Sequence, residues 1–343
     1  MTRIKTDATT DRTDKSARLP ESAEALAEGL ARSGRRWGIW ARDVPPLVES
    51  VGPAAVAAAM KDVQALGGEV LGLTSIRQAS ATLDPGELRE VGAEAARQGV
   101  ELQVNLGTVH PDRYDAAEGE AAIDAGAKLG VGCFHATFGV VADRFAITPT
   151  WTEQLRSAVD PMRALVDRAG RALVMRTHEE MTTFELMRLC ESVGRDDLRV
   201  GYSPVNVVTR LEDPDAAFRR VADRTSTLFL DDYVISRTAA GAARRLCLLG
   251  EGVIGWERLI ADSPPDAVTL LDIHHAEFDM PFYDPEWLVH QPDLNVGEFV
   301  DVLRPSSETD PGQIPFQERR AHGRRLLARA TSVGSGTTEA SVG

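Results

Sequence analysis

Three segments of this chain end in side chains that can carry protons or hold ions: "VGCFHAT" (131–137), "ALVMRTHEE" (172–180) and "VTLLDIH" (268–274). Histidine changes charge near neutral pH, a neighbouring carboxylate tunes that change, and arginine holds or polarises an oxygen. Four of the seven histidines, His135, His178, His274 and His275, fall within or just after these apolar runs, and Glu179 and Glu180 follow His178 directly. Alternate residues of an extended strand share a face. Cys133, His135 and Thr137 therefore form one set, Arg176 and His178 a second, and Leu270, Asp272 and His274 a third. Where the sets converge, His178, His274 and a glutamate make an acid–base group, with Arg176 placed for an anionic or oxygen-rich substrate.

Each residue also has a plainer reading. An inward histidine can be a hydrogen-bonded core residue. Thr182 and Thr183 can cap a helix beginning near Phe184, and an acid nearby would then answer the helix dipole. A mid-strand guanidinium at Arg176 requires a partner, for which Asp272 or a glutamate is at hand. Three histidines on one rim favour a site over three separate packing roles.

The elements that must bring these residues together alternate regularly. Eight β-rich runs, at 37–41, 69–73, 100–105, 131–137, 172–178, 198–203, 227–231 and 268–274, are separated by helical patterns. Such alternation predicts parallel β/α units, and eight of them favour a closed (β/α)8 TIM barrel, an α/β fold, over an open sheet. A doubly wound sheet would carry a glycine-rich phosphate loop after its first strand, and "WGIWARDVPPL" has none. We expect disordered tails at 1–18 and 333–343 and one barrel domain with a C-terminal helix over 19–332. The active end of such a barrel is the carboxyl end of its strands, where Asn105, His135, "RTHEE", Ser203, Asn206, "LDDY" and "DIHH" all fall.

Composition narrows the function. A formal charge of −14 and a pI near 5.0 oppose a nucleic-acid surface. Three widely spaced cysteines form no CxxC pair, which speaks against a zinc knuckle or a disulfide framework and for a reducing, cytoplasmic setting. No run suits a signal peptide or a membrane span. Segments 278–294 and the stretch after "LDDY" are long enough to act as a lid or an oligomer contact. Trp256 and Trp287 read as packing residues, and "PFQERRAHGRRLLARA" (315–330) as a basic amphipathic helix docked on the barrel or on a second subunit.

Several segments together resemble the sugar phosphate isomerase/epimerase superfamily, the xylose-isomerase-like TIM barrels. They are "THEEMTTFELMRLCESVG" (177–194), "RVGYSPVNVVTRLEDPDAAFRRVADR" (199–224), "LFLDDY" (228–233), "LGEGVIGWERLI" (249–260) and "FYDPEWLVHQPDL" (282–294). The resemblance implies a divalent Mn, Mg or Co site made by an Asp on strand six, a His on strand seven and glutamates on strands five and eight. Here Ser203 stands at the Asp position while Asn206 matches. Phe229 stands at the His position while Asp232 matches. His274 replaces one glutamate, and Arg176 the other, unless Glu179 or Glu180 substitutes. The usual metal site is thus degenerate.

The resemblance then implies an isomerase-, epimerase- or lyase-like enzyme moving a proton on a small polar, carbonyl-bearing or polyol substrate. In that reading His178, Glu180, His274 and Asp232 are catalytic, and Arg176, Ser203, Asn206 and His135 bind substrate. One alternative is a relocated divalent metal held by Glu179 and His274, with His135, His178 or Glu180. Another is a non-catalytic barrel that binds a partner. A homo-oligomer fits the superfamily, and neither nucleic acid nor membrane is an expected partner.

Overall fold

The structure is a computed structural model that describes residues 21–339, with side chains described to Gly334. All eight expected strands form. They are β1 (Trp37–Trp40), β2 (Val70–Leu73), β3 (Glu101–Thr108), β4 (Phe134–Thr137), β5 (Leu173–Arg176), β6 (Leu198–Tyr202), β7 (Thr225–Leu230) and, after a hairpin, β10 (Val268–Leu271). Parallel pairing runs in chain order and closes where β1 meets β10, giving a TIM barrel with helices outside. The helices begin and end on ordinary signals. Asp84 caps Pro85–Gln98 by accepting from Gly86 N and Glu87 N, and Gly99 ends that helix in the left-handed region at φ 65°.

The sequence reading did not anticipate a second, three-stranded antiparallel sheet. β8 (Tyr233–Thr238) and β9 (Gly241–Leu246) form a hairpin directly after β7, and β11 (Phe278–Met280) pairs with β9. The two long segments read as a lid or an oligomer contact therefore supply the strands of one sheet, whose core holds Tyr233, Ile235, Met280 and Trp287. Trp256 is buried in the main core, as a packing residue.

The basic helix, Phe316–Glu339, docks on the barrel. Leu326, Leu327 and Ala330 are buried, Arg324 pairs with Asp62, and Arg329 pairs with Glu24 of the helix Glu21–Ser33. It also takes in 333–339, which had been assigned to a disordered tail, because each residue added to a formed helix gains a hydrogen bond. Residues 1–18 and 340–343 lie outside the described residues. No described helix is long and apolar enough to cross a membrane.

Candidate active site at the carboxyl ends of the strands

The inward faces converge over an aromatic floor. Trp40, His135 and Phe229 pack edge to face, with centroids 5.0, 5.7 and 5.7 Å apart. Small neighbours make the room. A Cβ at Gly72 would lie 2.0 Å from the Trp40 ring, and one at Gly201 2.8 Å from Phe229. Above the floor is a cavity of about 300 Å³ whose walls include Arg42, Thr74, Asn105, Thr137, Arg176, His178 and His274.

One wall is a chain of ionic groups. The Arg176 guanidinium lies 4.1 Å from the Phe229 centroid, pairs with Asp272, and places Nη2 3.1 Å from His274 Nε2. Arg42 pairs with the same Asp272 carboxylate. Burial pushes the Asp272 pKa up, but Arg176 and Arg42 outweigh it and hold it well below the usual carboxylate range. His274 Nδ1 lies 3.0 Å from Asp231 Oδ2, which also accepts the His274 backbone N–H at 2.7 Å. A guanidinium only donates, so His274 Nε2 must accept and Nδ1 carries the proton. Burial pushes the His274 pKa down, consistent with a neutral ring. Arg319, on the C-terminal helix, supports this wall by donating to His274 O at 2.8 Å.

His178, two residues beyond Arg176, also lines the cavity. Its Nδ1 is hydrogen-bonded to Glu180, and its Nε2 lies 3.3 Å from Glu179 Oε2. Burial pushes its pKa down, but the Glu180 and Glu179 carboxylates outweigh that and the net shift is upward. Glu180 is fully buried and accepts from Gly139 N at 3.1 Å, so it acts through His178. Glu179 accepts from Arg244 at 3.3 Å. Burial pushes its pKa up, but the His178 and Arg244 charges outweigh that and the net shift is downward.

Of the other expected site residues, His135 lines the cavity as part of its floor, and Asn206, Ser203 and Asp232 lie outside the lining. His135 forms the floor: its Nε2 is 2.7 Å from Gln103 Oε1, and burial, then Arg176, drives its pKa down to about 3, leaving a neutral ring. Asn206 is buried as a strut, donating to Thr177 O at 3.0 Å and accepting from Arg244 at 3.3 Å. Ser203 is buried, its hydroxyl without a partner and outside the cavity lining. Asp232 does not face the site. Its carboxylate accepts from the Tyr233, Gly250 and Gly252 backbone N–H groups, and burial, partly offset by those bonds, pushes its pKa up to about 7. Strand alternation explains the correction, since Phe229 faces inward on β7 and Asp231, two residues on, shares its face.

Arg42, Asp231, Arg244 and Arg319 were not singled out as site residues. Only Asp231 had a local signal, the alternation from Phe229. Arg42 follows β1 in a short turn, and Arg244 and Arg319 arrive from the hairpin and the last helix. The helix after "RTHEE" is capped by Thr182 with Glu185, not by either site glutamate.

These donors do not fit the superfamily's divalent metal. At its implied ligand positions stand a guanidinium already paired with Asp272, a lone serine hydroxyl, a phenyl ring and a histidine whose Nε2 faces that guanidinium. Among the described residues, no group of three or more His, Cys, Asp or Glu is placed to hold a metal ion.

The family described as Xylose isomerase-like TIM barrel matches residues 60–262. No curated protein matches the chain by sequence. Among solved structures, a D-psicose 3-epimerase from Clostridium cellulolyticum H10 is 15% identical, with 87% of this chain and 99% of that one covered and a TM-score of 0.56. A xylose isomerase domain protein from Planctomyces limnophilus is 14% identical, over 78% and 99%, at 0.54. The probable 3-DHS dehydratase AsbF from Bacillus anthracis is 13% identical, over 76% and 99%, at 0.54. At such identities the likeness speaks to the fold alone.

Proposed function

This chain belongs to the xylose isomerase-like TIM barrel family, and from that premise we propose that it is an isomerase-, epimerase- or lyase-like enzyme. It moves a proton at a carbon beside a carbonyl or hydroxyl of a small polar substrate. One observation carries the reading: a single cavity is lined by both Arg176 and a histidine with a raised pKa, His178.

His178 exchanges the proton with the substrate, and Glu180 fixes its ring through Nδ1. Glu179, anchored by Arg244, holds the Nε2 side loosely enough for substrate to replace it. Arg176, which lines the cavity, stabilises negative charge on the substrate oxygen. Asp272, His274 and Asp231 fix that guanidinium before substrate arrives. The positive charge at the site comes from the chain itself, and no metal step is needed.

The test is proton exchange. In D2O, a panel of ketoses, keto acids and hydroxy acids is followed by proton NMR with purified protein. Deuterium entry beside the carbonyl, reduced about 10²-fold or more by His178→Gln, is the expected result. No entry with any compound, or equal entry with His178→Gln, would overturn the reading.

A further inference from the structure

We infer that the substrate carries a carboxylate, recognised by Arg42 and Arg176. The inference rests on the proton-transfer reading for its site and names the substrate class. The first observation is the sign of the cavity. In a chain of net charge −14, its charged walls are Arg42, Arg176 and His178, and no aspartate or glutamate lines it. The carboxylates that balance them, Asp272 and Glu180, are fully buried behind the walls.

The second observation is the count on the arginine wall. Arg42 and Arg176 are both ion-paired to one carboxylate, Asp272, and the other acids that act on Arg42, Asp43 and Asp231, are fully buried and do not line the cavity. His178 has its own carboxylates in Glu180 and Glu179. Arg42 uses its Nε and Nη2 on Asp272, which leaves Nη1, and both arginines line the cavity. A planar carboxylate supplies oxygens in the geometry a guanidinium recognises best.

A neutral sugar brings no charge to the two guanidiniums, whereas a carboxylate brings the complementary sign. The cavity, about 300 Å³, has room for a hydroxy, keto or sugar acid. Asn105, Thr74 and Thr137 line it as neutral polar groups for its hydroxyls.

The experiment compares matched pairs by calorimetry at low and high salt: D-glucuronate with D-glucose, and lactate with lactamide. At least one acid is expected to bind ten-fold or more tightly than its neutral partner, more weakly as salt rises. Arg42→Gln should remove that preference, while Arg42→Lys keeps part of it. Thermal unfolding of both variants establishes that they fold. Equal binding of acid and neutral partner, or no binding by either acid, would overturn the carboxylate assignment. Deuterium exchange reads proton transfer separately, so exchange on neutral compounds alone would overturn this inference and leave the enzyme reading standing.

Discussion

Arg176 Nη2 and His274 Nε2 stand 3.1 Å apart across the barrel mouth, and the donor-only guanidinium fixes which histidine nitrogen carries the proton. The ring's other nitrogen faces the Asp231 carboxylate. In the proposed mechanism His274, read from the sequence as an acid–base group or metal ligand, positions Arg176.

Asp231→Asn should break this arrangement, because an amide can turn its NH2 toward Nδ1 and force the proton to Nε2, against the guanidinium. We expect kcat to fall by about 10²-fold or more with a small change in KM, by analogy with tautomer errors in catalytic triads. Nitrogen-15 chemical shifts of His274 should show the exchanged tautomer. The adjacent Asp232→Ala behaves oppositely. It should cost about 1–3 kcal/mol of stability through three unpaired backbone donors and leave kcat close to wild type.

The raised pKa of His178 has a definite sign in stability. A histidine whose native pKa exceeds its unfolded value stabilises the fold fully below about 6.5, and loses that contribution as pH rises through the native pKa. Thermal unfolding midpoints should therefore fall more steeply above pH 6.5 for wild type than for His178→Gln. Parallel curves would refute the ionised His178–Glu180 pair. Comparison of the two proteins cancels Asp232 and Glu212, whose carboxyls burial pushes up to about 7.

Chelation should leave the protein unchanged. With Arg176 ion-paired at the barrel mouth, added Mn2+, Mg2+ or Co2+ is repelled by the charge and finds no three-donor group among the described residues. Activity and melting temperature measured before and after EDTA are expected to agree. Elemental mass spectrometry should find far less than one metal per chain.

The floor is tightly packed, so Gly72→Ala should destabilise the protein by about 1–3 kcal/mol, its Cβ driven into Trp40. Trp40→Leu on that background should recover part of the loss, because it removes the ring that the methyl meets. Urea denaturation of the single and double variants measures both effects.

The sequence by itself determined the barrel, because strand and helix periodicities are local and recur eight times. It also determined the inward faces of strands four, five and eight, since alternation fixes each side chain's direction once a strand is placed. His178 beside Glu179 and Glu180 was legible for the same reason, as the partners are sequence neighbours. Tertiary structure alone decided what each group does. Asp272 is shared by Arg42 and Arg176, which lie 230 and 96 residues from it. Arg244 comes from the hairpin to hold Glu179, and Arg319 from the last helix to support His274. Ion pairing depends on distance and burial, and barrel closure sets both.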